Sequence, residues 1–382
     1  MSAGLTVHEP SYIDTTRGAD SFLAAVEQST TVAVDTEGAS FHRFVDRIYL
    51  LQMSTREITA VLDPLAIGKP AALGRILESE SIEKVFHDAD YDLRLLHQDY
   101  GWNTRRLFDT RVAAQLLGIR AFGLAALLER SFGLKLDKKH QRADWSMRPL
   151  PKDMLDYASQ DTMYLLELRD RLAGELETAG RWSWAQEEFE RLEGTRWEQP
   201  DGEDNGYMRV KGARDLGRRE LALFRELVRF RDGIARELDR ATFRVAGNEA
   251  LFAVAKEAPR TMEALGAIKG VPRGIAERRG GEMLAAVKRG LDVPEDQLPK
   301  FPRAPRWDRD ADFDNHVNAL RAAREEAAQR LGIDPGFLCA REKLEAIARK
   351  KPKTLAELAE IPDLRRWQIE VLGEAFLKAL AA

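Results

Sequence analysis

Offsetting the chain by 93 residues lays NEALFAVAKEAPRTMEALGAI (Asn248 to Ile268) over REKLEAIARKKPKTLAELAEI (Arg341 to Ile361), with eight identities in 21 positions. Self-similarity at a fixed offset marks one supersecondary unit built twice. Leu251 and Leu344, Pro259 and Pro352, Thr261 and Thr354, and Leu265 and Leu358 match. This pattern predicts a helix, a Pro-Thr capped turn and a second helix in each copy. The rear of the chain must therefore hold two like helical modules. Between them lies LDVPEDQLPKFPRAPRWDRD (Leu291 to Asp310), whose four prolines predict an extended linker. The polar, acidic EQPDGEDNG (Glu198 to Gly206) predicts an earlier boundary. We therefore expect a front domain at 1–206, a first helical module at 207–292, a linker at 293–310 and a second module at 311–382.

Charge divides along the same line. Residues 1–206 carry 24 Lys and Arg against 35 Asp and Glu, net −11, whereas residues 207–382 carry 35 against 28, net +7. A basic half suits a phosphate backbone, and an acidic half suits carboxylates that collect divalent metals; ordinary drift in surface charge is the plainer alternative. No stretch approaches the roughly 20 apolar residues of a membrane span. The N-terminus MSAGLTVHEPSYIDTT has neither a basic nor an apolar export segment, so a cytoplasmic location is expected. Cys339, the one cysteine, cannot form an internal disulfide or a thiolate zinc site alone.

The front half opens with three β-like runs, TVAVDTEG, RIYLLQMST and ITAVLDPL, which predict an antiparallel meander. A helix near Ala71 to Glu78, a strand around Lys84 to His87, a helix from about Tyr91, a strand-like LFDT and a long helix from Pro151 and Lys152 should follow. The expected fold class is α/β, one mixed sheet flanked by helices, followed by two all-α modules.

Within the first run, Asp35 and Glu37 are two residues apart, so a strand points both carboxylates to one face. Two adjacent anions want a cation, and phosphodiester cleavage with two hard divalent ions needs several carboxylates converging from separate elements. KVFHDADYDLRLL offers Asp88, Asp90 and Asp92. We favour Asp92, beside the inward Leu93, with Asp88 in reserve, because Asp88 and Asp90 fall where N-capping is aspartate's usual job. In PKDMLDYASQDTMYLLEL, Tyr157 and Asp161 share a helix face. If Asp161 holds a metal, the Tyr157 phenol can orient a metal-bound water; otherwise it packs on the sheet beside a surface aspartate. His87 is a weaker ligand candidate, since hard cations prefer oxygen.

This order, D-x-E on a first strand, Asp on a middle helix and Y-x3-D on a late helix, spans 127 residues. It resembles the DEDD exonucleases of the proofreading superfamily that carry tyrosine in the third motif. The stretches VAVDTEG, LLQMS, VFHDADYDL, LFDT, ADWSMRPL and YASQDTMYLL look like the ribonuclease D family in particular, and the duplicated module resembles the helicase-and-RNase-D C-terminal (HRDC) domain. The resemblance covers essentially the whole chain. It implies an RNase H-like core with Asp35, Glu37, Asp92 and Asp161 ligating two Mg²⁺ or Mn²⁺ ions and Tyr157 assisting the attacking water. It further implies hydrolytic release of 5′-monophosphates from RNA 3′ ends, with precursor transfer RNAs among the substrates. A monomer is expected. The stretch after Glu37, GASFHRFVDR, departs from the family pattern; Phe41, His42 and Arg43 either shape a hairpin, which we favour, or touch the terminal nucleotide. Trp145, Arg148 and Pro149 either contact phosphate or ribose or pack their loop. The rivals are a 3′-to-5′ DNA exonuclease and a non-catalytic RNA-binding adaptor; the five intact positions argue against the adaptor.

Overall fold

The computed structural model describes residues 9–136, 139–198, 206–302 and 312–381. β1 (Ser11–Ile13) and α1 (Thr16–Val26) lead into β2 (Thr31–Glu37), β3 (Leu50–Ser54) and β4 (Thr59–Leu62). Then come α2 (Pro64–Ile67), α3 (Ala71–Glu78), β5 (Glu83–Phe86), α4 (Asp90–Tyr100), β6 (Leu107–Asp109), α5 (Thr110–Leu116), α6 (Leu124–Phe132), α7 (Lys152–Met163), α8 (Leu165–Thr178) and α9 (Trp182–Leu192). The six strands form one sheet in the order β1-β4-β3-β2-β5-β6. The predicted meander is β2, β3 and β4, paired antiparallel, while β5 and β6 continue the sheet parallel to β2. β1, absent from the sequence reading, is three residues long and pairs parallel with β4 at the edge. Too short to show a period, it left no pattern to read.

β2 is central, which explains its apolar run: Val32, Ala33 and Val34 are fully buried. The chain turns charged where β2 nears its C-terminal end, so Asp35 and Glu37 emerge at the sheet's rim. In the β2–β3 register Asp35 lies opposite Gln52 and Ala33 opposite Ser54, so these four share a face. That face receives α7: Ser54 Oγ and Thr162 Oγ1 are 2.8 Å apart in the buried seam.

Both copies of the repeat fold as predicted. The first has α10 (Arg218–Glu237), α11 (Thr242–Val245), α12 (Asn248–Glu257), α13 (Met262–Ala267) and α14 (Arg273–Leu291). The second has α15 (Phe313–Leu331), α16 (Pro335–Leu338), α17 (Arg341–Lys350), α18 (Leu355–Ala359) and α19 (Arg366–Ala381). Thr261 and Thr354 cap α13 and α18 through their side-chain oxygens. α12 and α17 end at equivalent left-handed residues, Ala258 (φ 44°) and Lys351 (φ 49°). The predicted boundary segment and much of the Pro-rich linker fall at 199–205 and 303–311, outside the described residues.

The chain divides into two compact units: residues 1–37, 48–197 and 307–382, and residues 38–47 and 198–306. The second helical module thus shares a unit with the sheet. Glu187 on α9 accepts the backbone N–H groups of Arg366 and Trp367 at 2.8 and 3.1 Å, so its carboxylate caps the positive end of α19. Trp184 stacks on Trp367 with centroids 5.1 Å apart, and Glu188 accepts the Trp367 indole N–H at 2.9 Å. Arg181 ties the end of α5 to the end of α15, donating to Leu116 O and Leu331 O at 2.6 Å each.

At this joint Gly118 has φ +76°, and a Cβ there would stand 2.0 Å from the Gly332 carbonyl oxygen, a backbone atom that cannot swing away. Gly118→Ala should therefore combine left-handed strain with overpacking and destabilise the unit by about 2 to 4 kcal/mol. Urea unfolding measures this; a loss under about 0.5 kcal/mol, the range of neutral surface changes, would mean the joint is not formed as described.

Candidate active site

Asp35, Glu37 and Asp161 come together: each offers a carboxylate oxygen, and the three oxygens lie within 4.8 Å of one another. β2 supplies the first two through its two-residue alternation. α7 supplies the third, its rotation fixed by buried Met154, Ala158, Ser159 and Thr162. Asp92 stands just behind. It is buried in the first turn of α4 and receives the Thr36 backbone N–H at 2.9 Å and the Thr36 hydroxyl on the same oxygen, Oδ1. Asp92 is therefore fastened to the D-x-E strand at Thr36, and its charge acts on both Asp35 and Glu37.

This crowding raises the carboxyl pKa values. Burial, followed by repulsion from Asp92, Asp161 and Glu37, holds Asp35 well above its ordinary value. Burial and repulsion from Asp161 and Asp92 do the same to Glu37. Burial pushes Asp161 up to about 7. Asp92 also rises to about 7 by burial, although the Thr36 hydrogen bonds oppose the rise. Among the described residues, no lysine or arginine pairs with any of the four. Gln52, opposite Asp35, is fully buried and neither of its amide atoms has a protein partner. A set of uncompensated oxygen donors is what a hard divalent cation requires, so the residues fit Mg²⁺ or Mn²⁺.

The cluster opens into a cleft of about 670 Å³ also lined by Tyr157, His87, Arg111 and Phe122. Tyr157 is one turn before Asp161. Its ring stacks on buried Trp145 at 6.1 Å and meets His140 edge-on at 5.6 Å, so the phenol is held from two sides. Trp145 is thus a packing residue. Arg148 is committed as well: it forms a bidentate pair with buried Asp63 at 2.5 and 2.7 Å and donates to Tyr49 O and Trp145 O. Asp88, the reserve candidate, lies apart from the carboxylate cluster, in a left-handed conformation and paired with Arg111. Asp90 pairs with Arg94 along α4. His87 bonds Thr110 Oγ1 at 2.9 Å, and burial lowers its pKa to about 4, so it is neutral at pH 7.

Residues 10–177 match the family described as 3′-5′ exonuclease, and residues 220–287 and 314–380 each match the HRDC domain. A ribonuclease D from Nitrobacter hamburgensis is 30% identical over 370 residues, covering 96% of this chain and 94% of the relative. The chain belongs to the ribonuclease D family. It is accordingly a metal-dependent 3′-to-5′ exoribonuclease. The crystal structure of a protein from Bifidobacterium adolescentis superposes with TM-score 0.84 at 26% identity, covering 100% of this chain and 98% of that one. That of Escherichia coli RNase D, titled an exoribonuclease involved in structured RNA processing, superposes with TM-score 0.74 at 27% identity, covering 98% and 99%. No described helix is long and apolar enough to cross a membrane.

The sequence reading missed three supports of this cluster. Thr36 lies hidden between the two motif carboxylates. Asp109, the aspartate of LFDT, is buried and accepts the backbone N–H groups of Asp88, Ala89, Arg111 and Val112, so it fixes the turn that delivers α4. Asp63 anchors Arg148 and also accepts the Tyr12 hydroxyl at 2.7 Å. A lone aspartate after an apolar run was the available signal for Asp63 and Asp109.

Burial alone would raise the Asp63 carboxyl, but the Arg148 and Tyr12 hydrogen bonds outweigh it and the net pKa falls below 3.8. Asp63→Asn should cost about 3 to 5 kcal/mol at pH 7 by leaving a largely buried guanidinium unpaired. Because the folded pKa is the lower one, the wild type keeps this advantage above pH 3.8 and loses it as pH falls through the folded value. Urea unfolding of both proteins across that range checks the sign; a gap that widened on acidification would refute it.

Proposed function

We propose that the chain hydrolyses RNA one nucleotide at a time from the 3′ end with two divalent ions, and that it trims the 3′ ends of transfer RNA precursors. The observation that carries the mechanism is the convergence of Asp35, Glu37 and Asp161, with no lysine or arginine paired to them among the described residues. When bound, the ions would lower the pKa of the attacking water and offset charge on the phosphate. Asp35, Glu37 and Asp161 would hold them, with Asp92 as the fourth ligand; Thr36 keeps Asp92 in place. Tyr157, fixed between Trp145 and His140, presents its phenolic oxygen to the water and orients it for in-line attack. The transfer RNA substrate rests on family likeness, and the net +7 of residues 207–382 supports contact with a folded polyanion through its backbone. Oxygen ligands suit both Mg²⁺ and Mn²⁺.

Two measurements test this reading. Mn²⁺ or Mg²⁺ should raise the thermal midpoint of the wild type by relieving carboxylate repulsion, corresponding to about 2.7 kcal/mol at 100 times Kd, and should leave Asp35→Asn nearly unmoved. Equal shifts in both proteins would place the ion elsewhere. On a 3′-extended transfer RNA, stepwise shortening should stop in EDTA, and Tyr157→Phe should lower kcat about 10²- to 10⁴-fold, the range for a positioned proton-transfer group. Faster shortening of a matched DNA strand would move the substrate to DNA, and binding without shortening would leave an adaptor.

A further inference from the structure

The stretch that departs from the family pattern, residues 38–47, leaves β2 directly after Glu37 and belongs to the unit of the first helical module. It is the loop of a hairpin, as favoured, joining antiparallel β2 and β3 with Glu37 opposite Leu50. Ala39 O accepts the N–H groups of His42 and Arg43 at 2.8 Å, closing a tight bend. The module then grips the bend: His42 O accepts Ala241 N–H at 3.1 Å, and Asp239 accepts Phe44 N–H at 3.2 Å and the Arg43 guanidinium at 3.5 Å. Phe44 packs against the module's core, with Arg236 over its ring at 5.3 Å.

Phe44 is thereby committed to the module. Phe41 is 45% exposed, and its neighbour Phe243 at the start of α11 is 54% exposed; they meet edge to face at 6.3 Å and 76°. An exposed pair of large aromatics is informative where an isolated exposed side chain is not. Stretches 38–47 and 236–244 together carry five arginines against three acidic groups, net +2. Aromatic faces amid arginines are how proteins hold single-stranded nucleic acid, because every base has a face to stack. Chain length also limits the separation: four residues past Glu37, the Phe41 Cα lies within about 14 Å of the Glu37 Cα. A base resting on Phe41 therefore belongs to the last few nucleotides of the strand.

We propose that Phe41 and Phe243 form a stacking site for an unpaired nucleobase just upstream of the 3′ end. This rests on the exoribonuclease reading above. The test uses the full chain and a single-stranded oligoribonucleotide carrying 2-aminopurine at successive positions from its 3′ end. Fluorescence in EDTA reads stacking, and steady-state kinetics in Mg²⁺ reads KM and kcat. Phe41→Leu and Phe243→Leu keep apolar bulk and remove the ring, and unchanged thermal midpoints confirm folding. One 2-aminopurine position should report stacking in the wild type and lose it in the variants, with KM rising about 5- to 150-fold and kcat moving less than about twofold. Phe243→Trp should restore both. Unchanged KM, or a fall in kcat at constant KM, would overturn the proposal, the latter because it marks a bend that only positions Glu37. If the wild type fails to shorten RNA, the exoribonuclease reading fails instead, and the fluorescence arm still decides whether the aromatic pair stacks a base.

Discussion

Three carboxylates with oxygens within 4.8 Å of one another, and a fourth behind them, repel in a place where burial already disfavours charge. A fold reaches such an arrangement only if stronger constraints force it. Two backbones do so here. β2 cannot turn Asp35 or Glu37 away, because its alternation is locked by Val32 and Val34 in the core and by pairing on both edges. α7 cannot rotate Asp161 outward without withdrawing Ala158 and Thr162 from the sheet. Stability gained along the length of both elements is given up at their meeting point, which is the usual sign of a site built for a ligand.

The supports around the cluster follow from that repulsion. Thr36 fastens Asp92 to the strand it repels, and Asp109 gathers four backbone N–H groups at the turn before α4. Across the cleft, the Asp63–Arg148 pair holds the loop bearing Trp145, which in turn holds Tyr157. The second helical module shares the unit through Glu187, Glu188 and Arg181.

Much of this was legible because it follows from period. The two-residue spacing of Asp35 and Glu37, the four-residue spacing of Tyr157 and Asp161, and the 93-residue offset each encode geometry directly. The strands from Thr31 to Leu62 were readable for the same reason, as apolar runs cut by charge. What could not be read was long-range partnership. Nothing local tells that Arg148 will turn to Asp63, 85 residues away. Nor does 38–47 announce that Asp239 will hold it, about 195 residues on. β1 escaped notice because three residues carry no pattern, and the two units could not be foreseen because a proline-rich segment marks a break without saying what each side packs against.

The central claim is that the Asp35, Glu37 and Asp161 carboxylates are gathered to hold divalent cations, and the most direct measurement is anomalous diffraction from crystals grown with Mn²⁺. The account predicts an anomalous peak within bonding distance, about 2.0 to 2.6 Å, of oxygens from at least two of these residues. Well-ordered carboxylates with no peak between them at saturating Mn²⁺, or a peak held only by other groups, would contradict it.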